Sequence, residues 1–135
     1  MTETETDTVT LSFPRKSQYY AVARLVVGGM AAPLNMSYDA LDDLQQAISH
    51  LLDSEDLPVA SDLTLQLDVG EDSMAASIGG FQLDSVDAAF ERSEQTAGGE
   101  FGLRRILDTF VDSVEVDRRD TGEWVTLTKR VKATV

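Results

Sequence analysis

The chain has 135 residues, with 24 acidic side chains against 11 Lys and Arg, a net charge of −13 and an isoelectric point near 4.2. Such a surface repels the phosphates of nucleic acids and anionic lipids, so it argues against direct nucleic-acid binding; it suits either a protein partner with a basic patch or plain solvation of an acidic exterior. Hydrophobic content of 42% supports one packed domain, no apolar run approaches the ~20 residues of a membrane span, and the lack of cysteine excludes disulfides and thiolate metal sites.

Residues 1–7 read as a disordered acidic tail and residues 8–135 as a single domain. The tail lacks the basic and apolar parts of a secretion signal, which places the protein in the cytoplasm. In residues 8–13, Val9, Leu11 and Phe13 alternate with Thr8, Thr10 and Ser12, the pattern of a half-buried strand that Pro14 ends. Ser17 is positioned to cap a first helix running to about residue 32. Tyr20, Ala23, Val27 and Met30 form one side, and Val22, Leu25, Val26 and Gly29 widen the apolar face enough to predict a largely buried helix. Gly28 and Gly29 would each cost about 1 kcal/mol relative to alanine unless they permit close packing.

Pro33 and Asn35 break that helix, and Ser37 caps a second, predicted over residues 37–56. Leu41, Leu44, Ala47, Ile48, Leu51 and Leu52 make its apolar stripe. Asp42, Gln45, Gln46, Ser49 and Asp53 face away, His50 sits at the stripe's border, and Ser54 follows one turn later. A loop over residues 57–62 leads to a strand at 63–69, a turn at 70–72 and a returning strand at 74–81, where Gly79 and Gly80 end or kink the pairing. Residues 85–90 read as a short helix, followed by a loop containing Gly98 and Gly99. A third main helix spans 102–111 with Leu103, Ile106, Leu107 and Phe110 inward and Arg104 and Arg105 exposed. A strand over 113–119, a tight turn at Asp120-Thr121-Gly122 and a strand over 123–131 complete the chain. Trp124, Thr126 and Thr128 share one face of the last strand, and Trp124 is expected under the helices, the alternative being a partner surface. The order predicts an α+β two-layer α/β sandwich, with a mostly antiparallel sheet covered on one face by helices.

Three stretches carry a resemblance: FPRKSQYYAVARLVVGGMAAPLNMSYDALDDLQQAIS, GGEFGLRRILDTFVDSVEV and GEWVTLTKRV. They are similar to bacterial anti-sigma regulatory factors, the serine-protein kinases of the histidine-kinase-like ATPase (Bergerat) fold. The resemblance implies ATP bound with Mg²⁺ between the second helix, the hairpin and a glycine-rich lid. It further implies phosphorylation of an anti-anti-sigma protein on serine, capture of a sigma factor, and a homodimer. The family's helix motif is Glu-x-x-x-Asn, and its positions fall here on His50 and Ser54. The glutamate polarises the attacking oxygen and the asparagine holds Mg²⁺, so an imidazole at the general-base position and a hydroxyl at the metal position make a degenerate site.

The family's Asp-x-Gly-x-Gly motif, whose aspartate accepts the adenine amino group, corresponds to SIGGFQLD, with Gly79 and Gly80 but no aspartate before them. Lid glycines remain as Gly98, Gly99 and Gly102, which fit either a phosphate-binding helix start or a flexible loop. The reading is therefore an anti-sigma-like protein that binds a protein partner without kinase activity and needs no cofactor; the alternative is a kinase with substituted ligands, using ATP and Mg²⁺. Tyr19, Tyr20 and Arg24 on the first helix are the expected partner contacts.

Overall fold

The computed structural model describes residues 7–54, 57–95 and 102–131. Its strands are β1 (Asp7–Phe13), β2 (Val59–Val69), β3 (Ser73–Phe81), β4 (Ser113–Arg119) and β5 (Gly122–Arg130). Its α-helices are α1 (Tyr20–Ala31), α2 (Tyr38–Leu52), α3 (Ser85–Gln95) and α4 (Leu103–Phe110). All neighbouring strands pair antiparallel, in the order β1-β2-β3-β5-β4. No helix among the described residues is long and apolar enough to cross a membrane.

Alternation divides the sheet into two chemically different faces. Leu63, Leu65, Leu67, Met74, Ala76, Ile78, Val125 and Leu127 are buried on one face, where Ala23, Val27, Leu44, Ile48, Leu51 and Leu107 from the helices join the same core. The other face is polar and bonds to itself: Ser12 with Thr64 at 3.1 Å, Ser77 with Thr126 at 2.9 Å, and Thr8 donating to Asp68 at 2.7 Å. The molecule is thus the α+β two-layer arrangement expected from its pattern of elements.

Several expectations need correction. Asp7 belongs to β1, opposite Val69, rather than to a tail. Ser17 makes no capping bond; it opens a short 3-10 turn, Ser17–Tyr19, that precedes α1. α1 buries Tyr20, Ala23, Val27 and Ala31, but Val22 and Leu25 are 44% and 75% exposed. Its apolar character therefore exceeds what the domain covers. α2 ends at Leu52, short of the predicted end. β2 begins at Val59 because that residue pairs with Phe81 across an irregular register, so part of the expected loop is strand. Residues 1–6, Glu55, Asp56, Gly98, Gly99 and residues 132–135 lie outside the described residues.

Trp124 occupies the polar face, opposite in direction to Val125 and Leu127. Its indole lies over Gly79, its register partner on β3, where a Cβ would fall inside the ring. Nε1 donates to Thr121 Oγ1 at 2.9 Å, and the Arg119 guanidinium covers the ring at 4.2 Å. These contacts leave Trp124 only 6% exposed without a helix above it.

Candidate functional site

α2 is well anchored at its start. Ser37 accepts a hydrogen bond from the Ala40 N–H at 3.1 Å, and Asp39 lies in the first turn, where the helix dipole favours a negative charge. Six buried side chains then fix the rotation of the helix, turning His50 outward. The imidazole stacks on Phe110 of α4, with ring centroids 5.9 Å apart and planes 16° from parallel. Lys129 donates from Nζ to Asp43 Oδ2 at 3.2 Å and to the Phe110 carbonyl at 2.9 Å, tying α2, α4 and β5 together.

The C-terminal end of α2 is bound differently. The Arg15 guanidinium donates to the carbonyl oxygens of Ser54 and Leu57, and the Tyr20 hydroxyl donates to that of Leu52 at 3.1 Å. Tyr20 thus satisfies a carbonyl that the helix end leaves free, and Arg15 holds the segment that follows the helix. Asp53 is the C-cap, and the Ser54 N–H reaches only Leu51 O, at 3.3 Å. Ser54 has therefore left the helix, and the expected one-turn relation between His50 and Ser54 does not form. His50 lines a cavity of about 350 Å³ with Arg24, Asp42 and Gln45. Ser54 lines another, of about 360 Å³, with Arg15, Ser17 and Tyr20. No group of three or more His, Asp or Glu side chains converges as a metal site among the described residues.

The remaining site residues have structural duties of their own. Gly79 makes room for Trp124. Gly80 has φ +88 at an irregular step between Gly79 and Phe81, a backbone setting that glycine adopts readily. Gly102 is the N-cap of α4 and accepts the Ile106 N–H at 3.0 Å. Arg104 pairs with Asp108 at 3.3 Å and lies 5.5 Å from the Phe90 ring centre. Of the expected partner contacts, Tyr19 is half-buried and Arg24 is exposed. Tyr20 is 8% exposed and bonded to α2, so it is a core residue and does not present a contact surface.

One functional-looking group escaped the sequence reading. Glu123, opposite Phe81 at the start of β5, is fully buried. Its Oε1 accepts the Val86 N–H at 2.9 Å, within the first turn of α3. The signal was present: Glu123 is in phase with Val125 and Leu127, both inward.

No family model matches the chain. Curated relatives named serine-protein kinase RsbW do match. That of Listeria monocytogenes serotype 4a (strain HCC23) is 26% identical over 142 residues, covering 93% of this chain and 88% of the relative. That of Bacillus velezensis is 25% identical over 147 residues, covering 93% and 87%. Among solved structures, the RsbU and RsbW domains of Rv1364c from Mycobacterium tuberculosis superpose with a TM-score of 0.65 at 13% identity, over 95% of this chain and 33% of that one. This similarity concerns the fold. Along nearly its whole length, then, the chain is similar to proteins named serine-protein kinase RsbW, and it shares its fold with a structure that contains an RsbW domain.

Proposed function

We propose that this chain is an anti-sigma-type regulator that acts by occupying a protein partner and has lost phosphoryl transfer. The observation that carries the reading is that His50 is stacked on Phe110 while Ser54 lies beyond the end of α2, so the one-turn helical spacing that a carboxylate and an amide would need is lost. Phosphoryl transfer depends on positioned metal and aligned phosphates, and an imidazole with a hydroxyl beyond the helix end replaces the carboxylate and amide that would supply them. The residues at these positions do not fit Mg²⁺-ATP, and no catalytic step is assigned to them.

The partner surface is α1. From Pro14 to Tyr38 the sequence has no Asp or Glu, although the chain as a whole carries 24. Like-charge repulsion opposes self-association elsewhere on such a surface, and this segment escapes it. Val22 and Leu25 are exposed there, flanked by Tyr19 and Arg24. Gly28 and Gly29 point the same way: a Cβ on either meets nothing within 4 Å, so the folded monomer makes no use of the missing side chains. A homodimer through α1, in the cytoplasm, with a sigma factor or an anti-anti-sigma protein as partner, completes the proposal.

The names of the relatives favour a second reading, a serine kinase with substituted ligands. Calorimetric titration of ATP with Mg²⁺, followed by phosphotransfer to a serine-bearing anti-anti-sigma protein, separates the two. No heat at millimolar nucleotide is expected. Micromolar binding with transfer would establish the kinase.

A further inference from the structure

Charge is unevenly divided between α1 and α2. Between Arg24 and Arg92 the sequence has thirteen Asp and Glu and no Lys or Arg. On α2 part of this charge forms a ridge, where Asp42, Gln46, Ser49 and Asp53 follow one another at helical spacing on the side away from the core. Asp42 and Asp53 are exposed, and neither is in an ion pair among the described residues. Asp43, by contrast, is taken by Lys129.

The ridge borders the cavity of about 350 Å³ that α2 shares with Arg24 of α1. Asp42 and Asp53 both line it, together with Gln45 and His50. Gln45 commits Nε2 to the Arg24 carbonyl at 2.9 Å, and its Oε1 is buried without a donor among the described residues. A buried acceptor without a donor is costly, and a group that brings N–H donors relieves the cost. The cavity therefore combines two unpaired carboxylates with an amide oxygen that lacks a donor. Lys and Arg side chains, which carry donors and no acceptor, match that set. A phosphate or carboxylate is repelled by Asp42 and Asp53, and a second copy of the chain brings the same acidic ridge.

We propose, on the reading of this chain as a regulator that occupies a protein partner, that the groove between α1 and α2 receives a basic segment of that partner, with an Arg or Lys side chain entering the cavity. The cation makes charge-assisted hydrogen bonds to Asp42 and Asp53 and supplies Gln45 with the donor it lacks. Arg24 is the α1 residue on the cavity wall. Val22 and Gly29, two and five residues away, project to the other side of that helix and stay free for the homodimer seam.

The single histidine and the single tryptophan report on opposite faces, His50 from the cavity and Trp124 from the helix-free side of the sheet. Titration of the full chain with a hexa-arginine peptide at physiological ionic strength, followed by proton NMR, should shift the His50 ring signals and leave the Trp124 indole N–H in place. Asp42→Asn combined with Asp53→Asn should weaken the binding read at His50 about fivefold or more, as expected for two exposed ion pairs. Glu71→Gln combined with Asp72→Asn removes the same charge from two exposed residues of the β2–β3 turn and should change it less than about twofold, because salt screens distant charges. A silent His50, equal shifts at His50 and Trp124, or equal weakening by both variant pairs would overturn the proposal. So would His50 signals that move with protein concentration alone, which would assign the groove to a second copy. None of these outcomes involves nucleotide, so they are distinct from failure of the regulator reading, which the ATP titration decides.

Discussion

His50 lies nearly parallel to Phe110, 5.9 Å between ring centroids, and so joins α2 to α4 at the position where the family resemblance expects a general base. Replacing His50 with glutamate supplies the expected carboxylate but removes this ring contact. His50→Glu should lower stability by about 0.5–1.5 kcal/mol, the usual range of an aromatic pair. It should restore no nucleotide affinity, because Ser54 remains beyond the end of α2. Thermal unfolding with and without Mg²⁺-ATP checks both outcomes, and a melting point raised by nucleotide in this variant would contradict the second.

The end of α2 is held by side chains distant in sequence, and that explains why it was not legible. Apolar spacing carries the helix through Leu52, and nothing in residues 53–56 forbids another turn. Termination involves Arg15 and Tyr20, reaching across from the segment between β1 and α1 and from the start of α1. Tyr20→Phe removes one hydrogen bond and should cost about 0.5–1.5 kcal/mol. Arg15→Ala removes two donors to carbonyls and should cost about 1–3 kcal/mol. Amide exchange measured at Asp53 and Ser54 should rise in the Arg15 variant before the sheet is affected.

The sheet was far more legible than the surface of the helices. Strict alternation identified β3 and β5 and the turn at Asp120 to Gly122, because only one face of each strand faces the helices. The same alternation placed Trp124 opposite Val125, yet hydrophobicity argued for the helix side. Gly79 resolves the conflict by giving the indole a backbone surface to rest on. Gly79→Ala should force that ring aside and cost about 1–3 kcal/mol, as overpacking does. Trp124 is the only tryptophan, so a red shift of its fluorescence in the folded variant reports the displacement directly.

Exposure along α1 was not legible, since an apolar helix reads the same whether its second side faces its own domain or another molecule. The glycines give this point a sign that can be measured. Gly29 is exposed, helical and clear of neighbours, so Gly29→Ala should stabilise the isolated domain by about 0.5–1 kcal/mol through backbone entropy. If α1 is the seam of a homodimer, the same methyl group meets the second copy and weakens association. Leu25→Glu, at a side chain 75% exposed, should change monomer stability by less than about 0.5 kcal/mol and should abolish the dimer. Light scattering over a concentration series, paired with denaturation at high dilution, reads both quantities. Opposite signs for Gly29→Ala would show that the missing side chain serves contact between molecules; a stabilised variant with unchanged association would remove α1 from the interface.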